Sequence, residues 1–407
     1  MTTADEAPAY DDRTARANVL KLAAAQALAG ANSTVILTTG AIVGSILGPA
    51  PQYATIPVTV FVVGTALGTF PAGWIAQARG RKAAFYVGTS CGFVGGLIGS
   101  LAIYAGSFAL FCLATFIAGF YQAVAHTFRF AATDTVSPAF RPKALSWVMA
   151  GGVVSGVLGP QMVNWTMEIW QPYLFMISFF VQGLVAMVCM AVLSTTNLPK
   201  PTAASTAAAA TGRPLLEIAA NPKFITAALC AMVSYALMNL IMTSAPLAMR
   251  MCGHALSDAN WVIQWHVVAM FLPSFWTGTL IQKLGAGRIV AAGLVLTAIA
   301  AVVGLMGITV LHFWIGLIFL GVGWNFGFIG ASSMVVETHR PEERNRVQAF
   351  NDFLVFGTMA VASFSSGQIL AYSGWSMVNW VAFPPIAAAL LALLVSGAMR
   401  RGPRLAR

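Results

Sequence analysis

Apolar residues run in long stretches along this chain, and polar residues gather in the short segments between them. Twelve stretches reach roughly 20 residues or more, the length that carries an α-helix across the hydrocarbon core of a bilayer. They cover approximately 20–47, 53–77, 83–104, 107–134, 144–167, 171–195, 223–249, 258–282, 288–310, 312–335, 347–371 and 376–399. None shows the charged face that a soluble helix presents to water. The longest interruption, 196–222, is rich in Pro, Ala, Ser and Thr and reads as a linker. The pattern predicts an all-α membrane protein, with twelve transmembrane helices in two six-helix bundles. Residues 1–195 and 223–407 form the two bundles, each with a short tail.

Composition agrees, since 58% of residues are hydrophobic and 8% charged. Charge adds an orientation. Twenty of the 22 Lys and Arg residues fall on one side of the twelve-span arrangement, among them Arg81, Lys82, Arg141, Lys143, Arg340 and Arg344. Arg250 alone falls on the other side, and Arg129 sits within a span. Basic loops stay in the cytoplasm, so both termini are expected there, in a bacterial cytoplasmic (inner) membrane. The net charge of +10 then reflects topology and contact with anionic lipid, and speaks against a nucleic-acid partner. The first 18 residues are polar and the first apolar stretch runs to spanning length, which argues against a cleaved leader. The five cysteines show no CxxC spacing, and four lie within spans, so they read as small packing residues.

Candidate chemistry is concentrated in two i,i+4 pairs, Met238-Asn-Leu-Ile-Met242 in the seventh span and His266-Val-Val-Ala-Met270 in the eighth. Residues four apart share a helix face, so three thioethers and one imidazole project from two neighbouring spans near mid-membrane. Methionine is also an ordinary gap-filler in apolar helices. A neutral imidazole at that depth, however, requires a partner, a wet cavity or a ligand. Soft neutral donors with no Asp or Glu nearby favour Cu(I) over Zn²⁺, Mg²⁺ or Ca²⁺, in ligand type and in charge. Protonation of His266 would compete with a metal for the same nitrogen. In the outer loop between these two spans, Met249, Met251, Cys252 and His254 read either as chance clustering or as an outer capture site. Gln122, His126 and Arg129 share a face of the fourth span. Buried polar groups at that depth make a candidate network, structural or substrate-binding.

The halves repeat one another. Gly73-x-x-x-Gln77-x-x-Gly80-Arg81-Lys82, after the second span, corresponds to Gly278-x-x-x-Gln282-x-x-Gly285 after the eighth, and Arg141-Pro142 corresponds to Arg340-Pro341. Secondary transporters build a binding site between such repeats. Over its whole length the chain resembles the major facilitator superfamily, whose signature loop between helices 2 and 3 is similar to residues 73–82. That signature normally carries Asp where this chain has Gln77. Gly152-x-x-x-Gly156-x-x-Gly159-Pro160 is similar to the glycine-proline motif of superfamily antiporters, and reads equally as close packing with a kink. The resemblance implies that helices 1, 4, 7 and 10 line the cavity, which would aim Gln26, Asn32, His126, Arg129 and Asn325 inward as part of the polar network.

The Met and His pairs resemble those of the CcoA-type bacterial copper importers. That resemblance implies Met238, Met242, His266 and Met270 as a metal site and copper as transported substrate, for cytochrome oxidase assembly. It also implies a copper chaperone as a cytoplasmic partner and no prosthetic group. The alternatives are a proton-coupled transporter of small organic molecules or drugs and a non-transporting copper receptor. An enzyme is not expected, because no nucleophile–base pair, phosphate loop or carboxylate pair lies at membrane depth.

Overall fold

The computed structural model of the chain describes residues 12–50, 53, 56–134, 136–198 and 213–400, and among these the regular structure is helical. The first half contains α1 (Asp12–Leu47), α2 (Ile56–Arg79), α3 (Arg81–Tyr104), α4 (Phe108–His126), α5 (Phe128–Ala131), α6 (Arg141–Thr166) and α7 (Met176–Ser194). A short α8 (Leu215–Ala219) leads into the second half, and residues 199–212 of the expected linker lie outside the described residues. The second half contains α9 (Pro222–Met251), α10 (Leu256–Phe271), α11 (Ser274–Leu284), α12 (Ala286–Met306), α13 (Val310–Val336), α14 (Arg344–Trp380) and α15 (Phe383–Arg400). They form two six-helix bundles, and nine stretches among the described helices are long and apolar enough to cross a membrane.

Breaks in the expected spans have local causes. The eighth is divided into α10 and α11 at Leu272-Pro273, where proline cannot donate to the helical ladder. The eleventh runs into the twelfth through Gly374, the one residue of α14 with left-handed φ, at 75°. The first begins at Asp12, eight residues before its apolar stretch. Its polar start is fastened to the end of α7, with Asn18 Nδ2 donating to the Asn197 carbonyl and Lys21 Nζ to that of Thr195, both at 2.7 Å.

The halves meet as α2 against α14 and α6 against α10 and α11. The repeated loops explain this symmetry. Gly80 and Gly285 turn the chain with φ of 90° and 89°, a region that side-chain-bearing residues avoid. About two turns of helix earlier, Gly73 and Gly278 let the opposite half approach. A Cβ at Gly73 would lie 2.5 Å from Ala349 Cβ, and one at Gly278 would lie 2.5 Å from the Pro142 carbonyl oxygen. The Gly152 motif also packs closely: a Cβ at Gly152 would overlap Phe271, one at Gly156 Val267 and one at Gly159 Thr34.

Charges reinforce the same end of the molecule, called here the basic end. Although Gln77 replaces the expected Asp, Arg81 finds an acid elsewhere, its Nε bonding Asp134 at 2.9 Å. Arg81 Nη2 also reaches Gln348 of the other half at 2.8 Å, and Arg344 approaches Asp134 at 3.3 Å. Gln282, the repeat counterpart of Gln77, donates across the halves to the Ala139 carbonyl. The linker's end is held by Glu343, which accepts from Arg213 Nη2 at 2.7 Å and Nε at 2.9 Å, and from the Arg340 N–H at 2.9 Å.

Gly278→Val should lower the thermal midpoint of the purified protein, because overpacking against immovable backbone typically costs about 1–3 kcal/mol. Gly357→Ala, where an added Cβ meets nothing within 4 Å, should be neutral or slightly stabilising. Equal midpoints for the two variants would count against the close approach.

The Glu343 carboxyl is held down to about 2, chiefly by the hydrogen bond from Arg213, against an ordinary value of 4.5. An acid depressed in this way stabilises the fold above its unfolded value, and that contribution is lost as pH falls through the folded one. The stability advantage of wild type over Glu343→Gln should therefore be full at neutral pH and shrink between pH 4.5 and 2, as read by thermal unfolding at stepped pH.

Candidate functional site

Between the halves, α4 and α5 on one side and α14 on the other form a ladder of two rungs. Gln122 and His126 lie four residues apart and so share a face of α4. Ser33 Oγ of α1 donates to Gln122 Oε1, which leaves the Gln122 amide N–H to donate to His126 Nε2 at 3.0 Å. The His126 ring then stacks on Phe356, with centroids 4.2 Å apart and planes 27° from parallel. One turn nearer the basic end is the second rung, where Arg129 Nη2 meets Asp352 Oδ1 at 2.6 Å. Both side chains are almost wholly buried. Arg129 Nη1 also donates to the His126 carbonyl at 2.7 Å, and its guanidinium lies 4.4 Å from the Phe130 centroid and 4.7 Å from that of Phe328. Asp352 accepts in addition from Asn351 Nδ2 at 3.1 Å. A charge pair this dry persists only because each member is partnered.

Against the upper rung stands an aromatic cluster contributed by the second half. Tyr235 of α9 points its ring edge-on to Phe328 at 4.9 Å, Trp324 at 5.5 Å and Phe356 at 5.5 Å. Trp324 and Phe328, four apart on α13, stack at 5.3 Å, and Phe271 meets Trp324 at 5.4 Å. His126 faces Tyr235 from the other half at 6.4 Å. The arrangement sets buried and half-buried aromatic rings of the second half beside an imidazole, an amide and a hydroxyl of the first. It suits a flat, uncharged, partly polar molecule, since aromatic surfaces attract rings by stacking and edge contacts.

The soft-donor methionines share one apolar cluster with the rings of this wall. Met238 and Met270 are buried, and with the half-buried Met242 belong to the apolar core of the second half. His266 is completely buried, and its Nδ1 lies 2.7 Å from the Leu317 carbonyl, so Nδ1 carries the proton and Nε2 keeps a lone pair with no donor from the protein. In the last turn of α9, Met249 is buried whereas Met251 is 66% exposed, so these two point oppositely. Cys252 caps α9, and His254 Nε2 donates to the Ile308 carbonyl at 2.6 Å.

The polar candidates divide. Gln122, His126 and Arg129 lie in the ladder. Asn32 and Gln26 are buried in α1, Asn32 Nδ2 reaching the Leu28 carbonyl at 3.5 Å. Asn325 is consumed by α10 and α11: it donates to the Met270 carbonyl and Ser274 Oγ, both at 2.6 Å, and accepts from Thr277 at 2.7 Å. Tyr235, Trp324, Phe328, Phe356 and Asp352 are absent from the sequence candidates. The acid was legible, because a carboxylate inside an apolar span is a functional signal by itself. Rings in a chain with 26 Phe and 11 Trp carry no such mark.

The chain belongs to the major facilitator superfamily. A sequence model of the Major Facilitator Superfamily matches residues 22–251 and again 227–406. A riboflavin transporter, RfnT, of Brucella anthropi is 44% identical over 385 residues, covering 95% of this chain and 97% of that protein. YddS of Bacillus subtilis, an uncharacterised transporter of the superfamily type, is 29% identical over 91% of this chain and 87% of its own length. Among solved structures, the proton:xylose symporter XylE bound to 6-bromo-6-deoxy-D-glucose superposes with a TM-score of 0.79 over 96% of both chains at 14% identity, which speaks for the fold alone.

The expectation of copper import, and with it the resemblance to the CcoA-type importers, is overturned by the relationship to the riboflavin transporter. The reason for the misreading is physical. An unbranched thioether that could ligate Cu(I) is also the side chain that fills irregular apolar gaps, and spacing alone does not separate the two uses. Among the described residues, no group of three or more His, Cys, Asp or Glu side chains is placed to hold a metal.

Asp352→Ala should strand the Arg129 charge, a loss of about 3–5 kcal/mol for one partner of a buried pair. Membrane accumulation and thermal midpoint should fall together, and the double variant Arg129→Met/Asp352→Ala should recover most of both. A double variant no better than the single one would show that the two residues do not act as a pair.

Proposed function

We propose that the chain carries riboflavin, or a flavin of the same uncharged kind, across the bacterial cytoplasmic membrane by alternately exposing a site between its halves. The observation that carries this reading is the wall of Tyr235, Trp324, Phe328 and Phe356 set against Gln122 and His126, in a chain related over nearly its full length to a riboflavin transporter. An isoalloxazine is a flat tricycle with apolar faces and a polar rim, and a ribityl chain adds hydroxyls that a Ser–Gln–His arrangement is equipped to bind. Stacking a heterocyclic base on an aromatic side chain is worth about 1–3 kcal/mol, and several rings can contribute. The reaction is translocation, with no bond made or broken.

The basic end faces the cytoplasm by the distribution of Lys and Arg. Its closure by α2 against α14 and α6 against α11 supports a state in which the site is sealed from that side. Transport then requires the ladder to part. Charge sets selectivity: among the described residues, the charged side chains buried away from the span ends are Arg129 and Asp352, and each already neutralises the other. A phosphate dianion would find no free cation there.

Proteoliposomes carrying the purified chain should take up labelled riboflavin faster than empty vesicles. Unlabelled riboflavin should compete, riboflavin 5′-phosphate at the same concentration should not, and copper chelation should leave the rate unchanged. Uptake no faster than in empty vesicles, or equal competition by the phosphate ester, would overturn the reading.

A further inference from the structure

We propose that the indole N–H of Trp324 and the side-chain amide of Asn239 are the specificity-determining donors of this site, hydrogen-bonding the carbonyl and ring-nitrogen edge of the flavin. The assignment rests on the riboflavin reading above and deepens it. Trp324 is 1% and Asn239 4% exposed, yet neither Trp324 Nε1 nor Asn239 Nδ2 finds an acceptor in the protein. A buried donor left unpaired is penalised, and more so in a low-dielectric interior.

Neighbouring residues show that the fold can satisfy or avoid such groups. Asn325, next to Trp324 in sequence, has both amide ends bonded to α10 and α11. Phe328, one turn along and stacked on the Trp324 ring, supplies aromatic surface with no N–H at all. An indole and an amide that serve packing alone would be better replaced by Phe and Leu.

Position ties both donors to the aromatic wall. Trp324 is itself one of its rings, in contact with Tyr235 and Phe271. Asn239 follows Tyr235 by four residues on α9 and shares its face, one turn farther from the basic end. The isoalloxazine matches this pairing, since its ring system offers two carbonyl oxygens and unprotonated ring nitrogens as acceptors against a single N–H donor. Ring faces would be held by stacking, and the acceptor edge would be read by the two N–H groups. A site built to hydrogen-bond its substrate rejects an analogue that lacks the partner far more strongly than an apolar pocket does.

Trp324→Phe and Asn239→Leu test the assignment in purified protein. Riboflavin affinity is read by quenching of flavin fluorescence, and stability by thermal unfolding without ligand. Each variant should bind riboflavin about tenfold more weakly, the loss of one hydrogen bond to a buried acceptor. The unliganded midpoint should stay level or rise, because an unpaired donor has been removed. Unchanged affinity in both variants overturns the assignment, as does weaker binding accompanied by a lower midpoint in both, the signature of a structural role. If Trp324→Phe alone is destabilised by its lost volume, the near-isosteric Asn239→Leu decides. Wild-type protein that binds no riboflavin overturns the riboflavin reading and this assignment together, whereas wild-type binding with unaltered variants overturns the assignment alone.

Discussion

A guanidinium and a carboxylate buried between two membrane bundles constrain everything around them. Arg129 comes from the first half and Asp352 from the second, so the halves cannot separate at this level without leaving two buried charges unpaired or admitting water. The surroundings serve that pair. Phe130 and Phe328 cover the guanidinium faces, the His126 carbonyl takes one of its protons, and Asn351 supports the acid. The His126–Phe356 rung seals the pair from the opposite side. The aromatic wall is thus built directly on a sealed ion pair, with Phe328 belonging to both.

The basic end shows how a signature can survive loss of its acid. Gln77 leaves the loop after α2 without a carboxylate, yet Arg81 is still fixed, because Asp134 after α5 occupies the position from which it can serve both Arg81 and Arg344. Gln348 completes a bridge between halves from the other side. What matters physically is a buried acid within reach of the cations, and the segment that provides it is secondary.

Much of the fold was legible because the bilayer imposes it: span length, loop charge and the repeated Gly-x-x-x-Gln-x-x-Gly all follow from rules that act on sequence directly. The start of α1 was misplaced because Asn18 and Lys21 extend the helix through hydrogen bonds to α7, a tertiary effect with no hydrophobic signature. At the site, Gln122, His126 and Arg129 were legible as costly polar groups on one face. Their partners were not, since Tyr235, Phe328 and Phe356 become distinctive only when three helices bring them together. Met238, Met242 and Met270 misled for the converse reason: a rare element type at a suggestive spacing drew attention from ordinary rings. Asn239 stood inside the very Met motif and was passed over, although an amide at that depth is the dearer residue.

Gly73 and Gly278 give the closed end the character of a catch more than a spring. Each lets the two halves touch through small atoms, beside the longer-armed Arg81–Gln348 and Gln282–Ala139 bridges. Dispersion forces of that kind fade within an ångström of separation, so resistance is concentrated at the very beginning of the stroke. Gly73 and Gly278 occupy repeat-related positions in α2 and α11, so both contacts would loosen under the same separation of the halves.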